Sequence, residues 1–163
     1  MVREISAGGV VIRNRDGAWW MAAIEPPNES TGAAARRSLR AVGRPVLALP
    51  KGLVDPGEKS PETALREVRE ETGVTADLVT KLGDIKYVYT RTWGDGQRVF
   101  KIVSFYLMRY QSGRINHIAL EMRIEVARAK WVRLQDAPTL LAYKGEKQMA
   151  QRALEYVKAH AEL

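Results

Sequence analysis

The apolar residues of this chain fall in short runs divided by turn residues, a pattern that predicts more strands than helices. Ser6 to Ile12 predicts a strand, Asn14-Arg15-Asp16-Gly17 a turn, and Ala18 to Ile24 a second strand. From Glu25 to Arg44 the pattern breaks: Pro-Pro-Asn-Glu-Ser-Thr-Gly leads into Arg36, Arg37, Arg40 and Arg44, predicting a long loop with at most a helical turn over its alanines. Pro45 to Leu49 predicts a short apolar strand. Ile85, Tyr87 and Tyr89 alternate with Lys86, Val88 and Thr90 as in a half-buried strand, and Gly94-Asp95-Gly96 is a hairpin turn. Val99 to Met108 is apolar on both faces except at Lys101 and Ser104, as expected of a central strand covered on both sides. Gln111-Ser112-Gly113 starts a polar loop, Ala129 to Leu134 is a strand, and Pro138–Tyr143 and Gln148–His160 are helices, with Met149, Leu154 and Val157 as a core stripe. With no internal repeat, the pattern predicts one domain, residues 1–163, of the α/β sandwich class.

One helix is marked at both ends. Ser60 can cap it, Pro61 suits its first position, Glu62 meets the positive end of the dipole, and Gly73 stops it. Ala64, Leu65, Val68 and Thr72 make its buried stripe. Glu67, Glu70 and Glu71 then converge on an opposite face at i, i+3 and i+4, spacings at which like charges cost a few tenths of a kcal/mol per pair. A solvated acidic face is the ordinary reading. Three carboxylates behind the loop that carries Gly52 and Gly57, in a basic protein, instead ask for a divalent cation, and oxygen-only donors point to Mg²⁺ or Mn²⁺.

Composition narrows the chemistry further. The 163 residues are 45% apolar and 28% charged, an ordinary globular balance, and long enough for a core without staples. The absence of cysteine excludes disulfides and thiolate chemistry and fits a reducing, cytoplasmic setting. His117 and His160 are too few for a zinc site or a histidine-based triad. No apolar run reaches the roughly 18 residues of a membrane helix, and Met1 to Ile5 does not read as a signal peptide.

Gly52, Glu58, Arg66-Glu67-Val68, Glu70-Glu71 and Gly73-Val74, at these spacings, match the Nudix box at every fixed position over residues 52–74. Ala7-Gly8-Gly9-Val10, Lys101 and Trp131-Val132 are similar to the flanking parts of that fold, so the resemblance covers almost the whole chain. It implies an α/β/α sandwich with a mixed β-sheet. It also implies a Mg²⁺- or Mn²⁺-dependent hydrolase of a nucleoside diphosphate linked to another moiety. By that resemblance Glu67, Glu71 and the Gly52 carbonyl are metal ligands, and Glu70 is a ligand or helps deprotonate water. Arg66 pairs with Glu58 in support. A further acid comes from outside the box, with Glu125 favoured over Glu121 by its place six residues before Trp131.

The Leu49-Pro50-Lys51-Gly52 opening resembles that of diadenosine polyphosphate hydrolases. Lys51 is then a phosphate contact, Tyr87 or Tyr89 and Tyr143 are base-stacking rings, and Lys101 with the arginines of residues 36–44 lines a polyphosphate track. A tyrosine on a strand is more often plain core, and an arginine-rich loop is often only solvated. The same chemistry accommodates MutT-like clean-up of nucleoside triphosphates, or hydrolysis of ADP-ribose, inositol pyrophosphates or RNA 5′-pyrophosphate. A non-catalytic nucleotide-sensing module is a different class, opposed by the intact box carboxylates. Monomer and homodimer both stay open, and no membrane partner is expected.

Charge sharpens this. The net charge is +7, yet Lys51–Val74 holds six acids and four bases, leaving +9 on the remainder. An acidic patch within a basic body suits a metal-bound polyphosphate.

Overall fold

The computed structural model describes residues 1–27, 46–92 and 94–163. Its elements run β1 (Val2–Arg15), β2 (Ala18–Glu25), β3 (Lys51–Leu53), α1 (Ser60–Thr72), β4 (Val74–Thr90), β5 (Arg98–Gly113), β6 (Arg128–Arg133), α2 (Ala137–Leu140) and α3 (Lys144–Ala159). The sheet order is β4-β5-β1-β2-β6, with β3 also paired to β1. β1 lies parallel to β5 from Val2 to Ile12, and the other pairings are antiparallel, so the sheet is mixed.

Alternate residues of β1 serve opposite layers. Val10 and Ile12 pack with Phe105, Leu107 and, from α3, Met149 and Ala153. Ala7 and Val11 pack with Met108 and, from α1, Ala64 and Val68. The sheet is thus sandwiched between α1 and α3, as expected. Gly9 permits the close approach of α1: a Cβ there would lie 2.8 Å from Val68 and Met108 side-chain atoms.

The position of the site follows from a parting of the sheet. Along one side of β1, Ser6–Gly8 pair with β3, whereas Ile12–Arg15 pair with β2. The gap is spanned by the segment before β3. Ile24 and Ala48 exchange two backbone hydrogen bonds of 2.9 Å, and the Gly9 amide donates to the Pro50 carbonyl at 3.2 Å. This segment is therefore held at the junction of β1, α1 and α3.

Several expectations need correction. The predicted strand Pro45–Leu49 forms only single bridges, at Leu47 to Leu141 and at Ala48 to Ile24, because it crosses the gap instead of running along a neighbour; residue 45 lies outside the described residues. The strand β5 continues through Gln111-Ser112-Gly113, whose backbone pairs with the start of β4 despite polar side chains. The helix expected at Pro138–Tyr143 ends at Leu140, since Leu141 turns extended to meet Leu47. The last helix begins at Lys144, four residues before the predicted start. Its buried stripe comprises Glu146, Met149, Ala150, Ala153 and Val157, with Leu154 partly buried beside it.

Candidate active site

The helix α1 spans the predicted residues, and Gly73 closes it at φ 85° with its amide on the Arg69 carbonyl. Its start differs from expectation. Lys59 is the N-cap residue and no side chain caps it, while Ser60 is already helical. The Thr63 hydroxyl instead donates to Glu58 at 2.6 Å, tying the first turn back to the loop. The acidic face also differs: Thr63, Glu67 and Glu71, spaced by four, are buried together with Ala64, Val68 and Thr72. Glu67 is 7% exposed and Glu71 5%, so these carboxylates lie against the loop and not in solvent, while Leu65 is only partly buried.

Arg66 organises the loop side. Its Nε donates to Glu58 Oε2 at 2.7 Å and its Nη2 to Glu58 Oε1 at 2.9 Å, a two-point pairing. The Asp55 amide adds a third donor to Glu58, at 3.1 Å. These bonds, from Arg66 first and Thr63 next, pull the Glu58 carboxyl down to about 2. Nη1 of Arg66 bridges Glu67 at 2.9 Å and Glu70 at 3.1 Å, and Nη2 reaches the Leu53 carbonyl at 3.2 Å. Arg66 is therefore both the brace between helix and loop and the counter-charge of two box carboxylates.

Glu71 turns the other way. Its Oε1 accepts from the Lys51 amide at 2.9 Å. Burial, reinforced by the charges of Glu67 and Glu125, pushes its carboxyl up to about 8 although that amide acts against the rise. Burial likewise raises Glu67, against the pull of Arg66. The Glu67 carboxylate is packed onto Gly52 so tightly that a Cβ there would sit 2.2 Å from its Cδ and Oε1. Among the described residues no three acidic or histidine side chains already enclose a single point, since Arg66 and the Lys51 amide each take part of the set. The donor chemistry nevertheless suits a hard divalent cation: carboxylate oxygens, two of them from buried groups whose charge needs compensation, and a backbone carbonyl at a residue where no side chain fits.

Two hollows adjoin this point and share a wall. A recess of about 130 Å³ is lined by Ile24, Pro26, Ala48, Lys51, Glu71, Glu125 and Tyr143. A cavity of about 660 Å³, on the α3 side of the sheet, is lined by Glu4, Lys51, Ile85, Tyr87, Tyr89, Lys101, Val103, Phe105, Tyr143, Gly145 and Glu146. Lys51 and Tyr143 face both, with the ammonium 6.0 Å from the ring centroid. Lys51, Tyr87, Tyr89, Lys101 and Tyr143 therefore come together as a group, and Glu125 stands beside Glu71. Glu121 lies exposed on the 3-10 turn Leu120–Ile124 and lines neither hollow. The expected arginines of residues 36–44 lie outside the described residues.

Within the cavity, Lys101 lies across from Glu4 in the β1–β5 register, and burial lowers its pKa. The Tyr89 hydroxyl is hydrogen-bonded to Glu4, which pushes the phenol up to about 12. Tyr87 leans on Tyr89 with centroids 6.2 Å apart, and its own face is 42% exposed. Burial raises its pKa too.

Two residues escaped the sequence reading. Glu146, 4% exposed, accepts from the Leu49 amide at 2.7 Å and from Lys51 Nζ at 3.1 Å. A charge three residues before Met149, on the core stripe, was the available signal. Glu4 could have been found by carrying the strand alternation back from Ser6 through Glu4 to Val2.

The NUDIX domain family matches residues 3–153. A Mycobacterium tuberculosis protein named "Putative mutator protein MutT4" is 37% identical over 156 residues, 96% of this chain and 56% of that one, so the chain spans little more than half of that relative's length. The asymmetrical bis(5'-nucleosyl)-tetraphosphatase of Mus musculus is 30% identical over 112 residues, covering 66% of this chain and 69% of the mouse protein. Among solved structures, an Ap4A hydrolase from C. elegans superposes with a TM-score of 0.62 at 18% identity, covering 96% of this chain and 98% of that one, a likeness of fold. With an intact box from Gly52 to Val74 on a loop and helix braced by Arg66, the chain belongs to the Nudix family of hydrolases, which act on phosphoric anhydride bonds.

Proposed function

We propose that the protein is a Mg²⁺- or Mn²⁺-dependent pyrophosphohydrolase of dinucleoside polyphosphates, of which diadenosine tetraphosphate is representative, acting by water attack on phosphorus. The observation that carries this reading is the wall shared by the two hollows. Lys51 and Tyr143 separate an acidic recess from a larger cavity walled by Tyr87, Tyr89 and Lys101. A phosphate chain over Lys51 then has its scissile part beside Glu71 and Glu125 and its base end among aromatic rings. The likeness to the mouse tetraphosphatase agrees with this.

Glu67, Glu71, the Gly52 carbonyl and Glu70 are the groups that would hold the ion, whose chemistry when bound is to neutralise phosphate charge and acidify a water. Glu125, exposed and lining the recess beside Glu71, is the group to accept the water's proton. Lys51 Nζ holds a phosphate oxygen while Glu146 fixes its position. Tyr87 and Tyr143 hold the base by stacking.

Clean-up of nucleoside triphosphates is the second reading, favoured by the likeness to the mycobacterial mutator protein. The test is a panel with Mg²⁺: diadenosine tetra- and hexaphosphate, 8-oxo-dGTP, ADP-ribose, an inositol pyrophosphate and triphosphorylated RNA. The expected result is highest kcat/KM on a diadenosine compound, lost in Glu70→Gln and Glu71→Gln. Preference for 8-oxo-dGTP overturns the substrate claim, and full activity in both variants overturns the catalytic assignment.

A further inference from the structure

A second cationic and aromatic hollow lies at the other end of the sheet, on its other face. β1 runs on to Arg13 and Arg15, which pair with Trp20 and Ala18 of β2. Trp20 in turn pairs with Arg133 of β6, and Ala22 with Trp131. Directly opposed residues of antiparallel strands project to the same face. These side chains therefore share the face that α1 covers further along, at Val11 and Ala22. They enclose, with Asp16, a cavity of about 420 Å³. The aromatic cavity beside Lys51 is on the α3 face, and along the α1 face, which also carries the box carboxylates, six steps of β1 lead from Ala7, opposite Gly52, to Arg13, roughly 20 Å of strand.

The chemistry of this hollow is specific. Three arginines face it against one aspartate. The Arg13 guanidinium lies 4.2 Å from the Tyr110 ring centroid and 5.8 Å from that of Trp131, and the Arg133 guanidinium lies 5.4 Å from Trp20. Tyr110 meets Trp131 edge-on at 5.7 Å, which fixes both rings. The Nε of Arg133 is buried with no hydrogen-bond partner among the described residues, a donor whose desolvation is uncompensated. Planar guanidinium forks suit phosphate oxygens, and tryptophan faces suit a flat ring. The volume exceeds what a bare anion fills and falls within the range of small-molecule pockets.

We infer that Arg13, Arg15, Arg133, Trp20 and Trp131 form a second, non-catalytic site for a nucleoside phosphate, its base on tryptophan and its phosphate on the arginines. A ligand there touches none of the box residues, so this site stands or falls independently of the substrate assigned above.

The test is calorimetric titration of AMP into the full chain carrying Glu70→Gln, in EDTA, so that metal-dependent binding at the box does not contribute. Adenosine, inorganic pyrophosphate and a decauridylate are titrated in parallel. The expected result is that AMP binds, that Arg133→Gln and Arg13→Gln each weaken it roughly tenfold or more, and that this arginine-dependent binding persists in Tyr87→Ala, where stacking in the substrate cavity is removed. Arg133→Lys, which keeps the charge and loses the fork, should also weaken it, which guards against a folding defect in the glutamine variant; circular dichroism checks each protein. AMP binding that ignores every arginine change overturns the inference. So does pyrophosphate binding as tightly as AMP, which marks a bare anion site, or decauridylate binding without AMP, which marks a nucleic-acid surface.

Discussion

Lys51 and Glu146, 95 residues apart in sequence, form a 3.1 Å ion pair that joins the residue preceding the Nudix box to the last helix. The same carboxylate takes the Leu49 amide, so one side chain of α3 fixes both the backbone and the charge of the residues leading into Gly52. Burial alone would depress the Lys51 ammonium. The nearby Glu146 and Glu71 charges more than offset that, and Lys51 remains a cation at the boundary of the two hollows.

Glu146→Ala leaves a buried amide unpaired and a half-buried ammonium without its partner. The expected loss is about 2–3 kcal/mol of stability, below the value for a fully buried pair because Lys51 retains some solvent. Glu146→Gln keeps an acceptor for Leu49 and should cost clearly less. Urea denaturation midpoints decide; equal midpoints for wild type and Glu146→Ala would remove the bracing role.

Gly52→Ala should be inactive while still folded. Its Cβ would sit 2.2 Å from the Glu67 carboxylate, so that side chain must move. Local crowding of this kind costs about 1–3 kcal/mol, within reach of a stable domain, but displacing Glu67 disturbs the donor set itself. Hydrolysis assays at several Mg²⁺ concentrations, alongside thermal melts, check this. A Gly52→Ala protein with wild-type kcat at ordinary Mg²⁺ would contradict the placement of Glu67 at the centre of the site.

Tyr87→Ala and Tyr143→Ala should act on binding more than on chemistry. Stacking on an aromatic ring is worth about 1–3 kcal/mol, so each change should raise KM for diadenosine tetraphosphate roughly tenfold with kcat nearly unchanged. Tyr89→Phe is the contrasting variant. Its hydroxyl is committed to Glu4, so its loss should loosen the cavity wall and not remove a stacking face. Equal KM for all three variants and wild type would place the base elsewhere.

The box was legible because its residues are local. Glu58, Arg66, Glu67, Glu70 and Glu71 lie within one loop and helix, where spacing alone decides which groups meet. Burial of Glu67 and Glu71 was not legible, since it depends on how closely β3 and Gly52 approach α1. The strand predicted at Pro45–Leu49 gives way to single bridges for the same reason: the partners of Ala48 and Leu47, Ile24 and Leu141, are remote in sequence. Glu146 was hidden by sitting on an apolar stripe 95 residues from Lys51. Arg13, Trp20 and Arg133 became a group only through strand register across β1, β2 and β6.

The Glu58–Arg66 brace should make stability depend on pH in a defined window. The ordinary value of a glutamate is 4.5, and in the folded chain Glu58 is held down to about 2, mainly by Arg66 and then by Thr63. The folded state thus binds the proton less readily than the unfolded chain. The contribution is present in full above pH 4.5 and is lost as pH falls from there through about 2. Glu58→Gln removes the titrating group while keeping its shape. The gap between wild-type and variant urea midpoints should be constant from pH 7 to about 5.5, then narrow at pH 4 and again at pH 3. Arg66 stays charged throughout, so the narrowing belongs to Glu58. A gap unchanged down to pH 3 would mean that the charge of Glu58 does not hold the box loop to its helix.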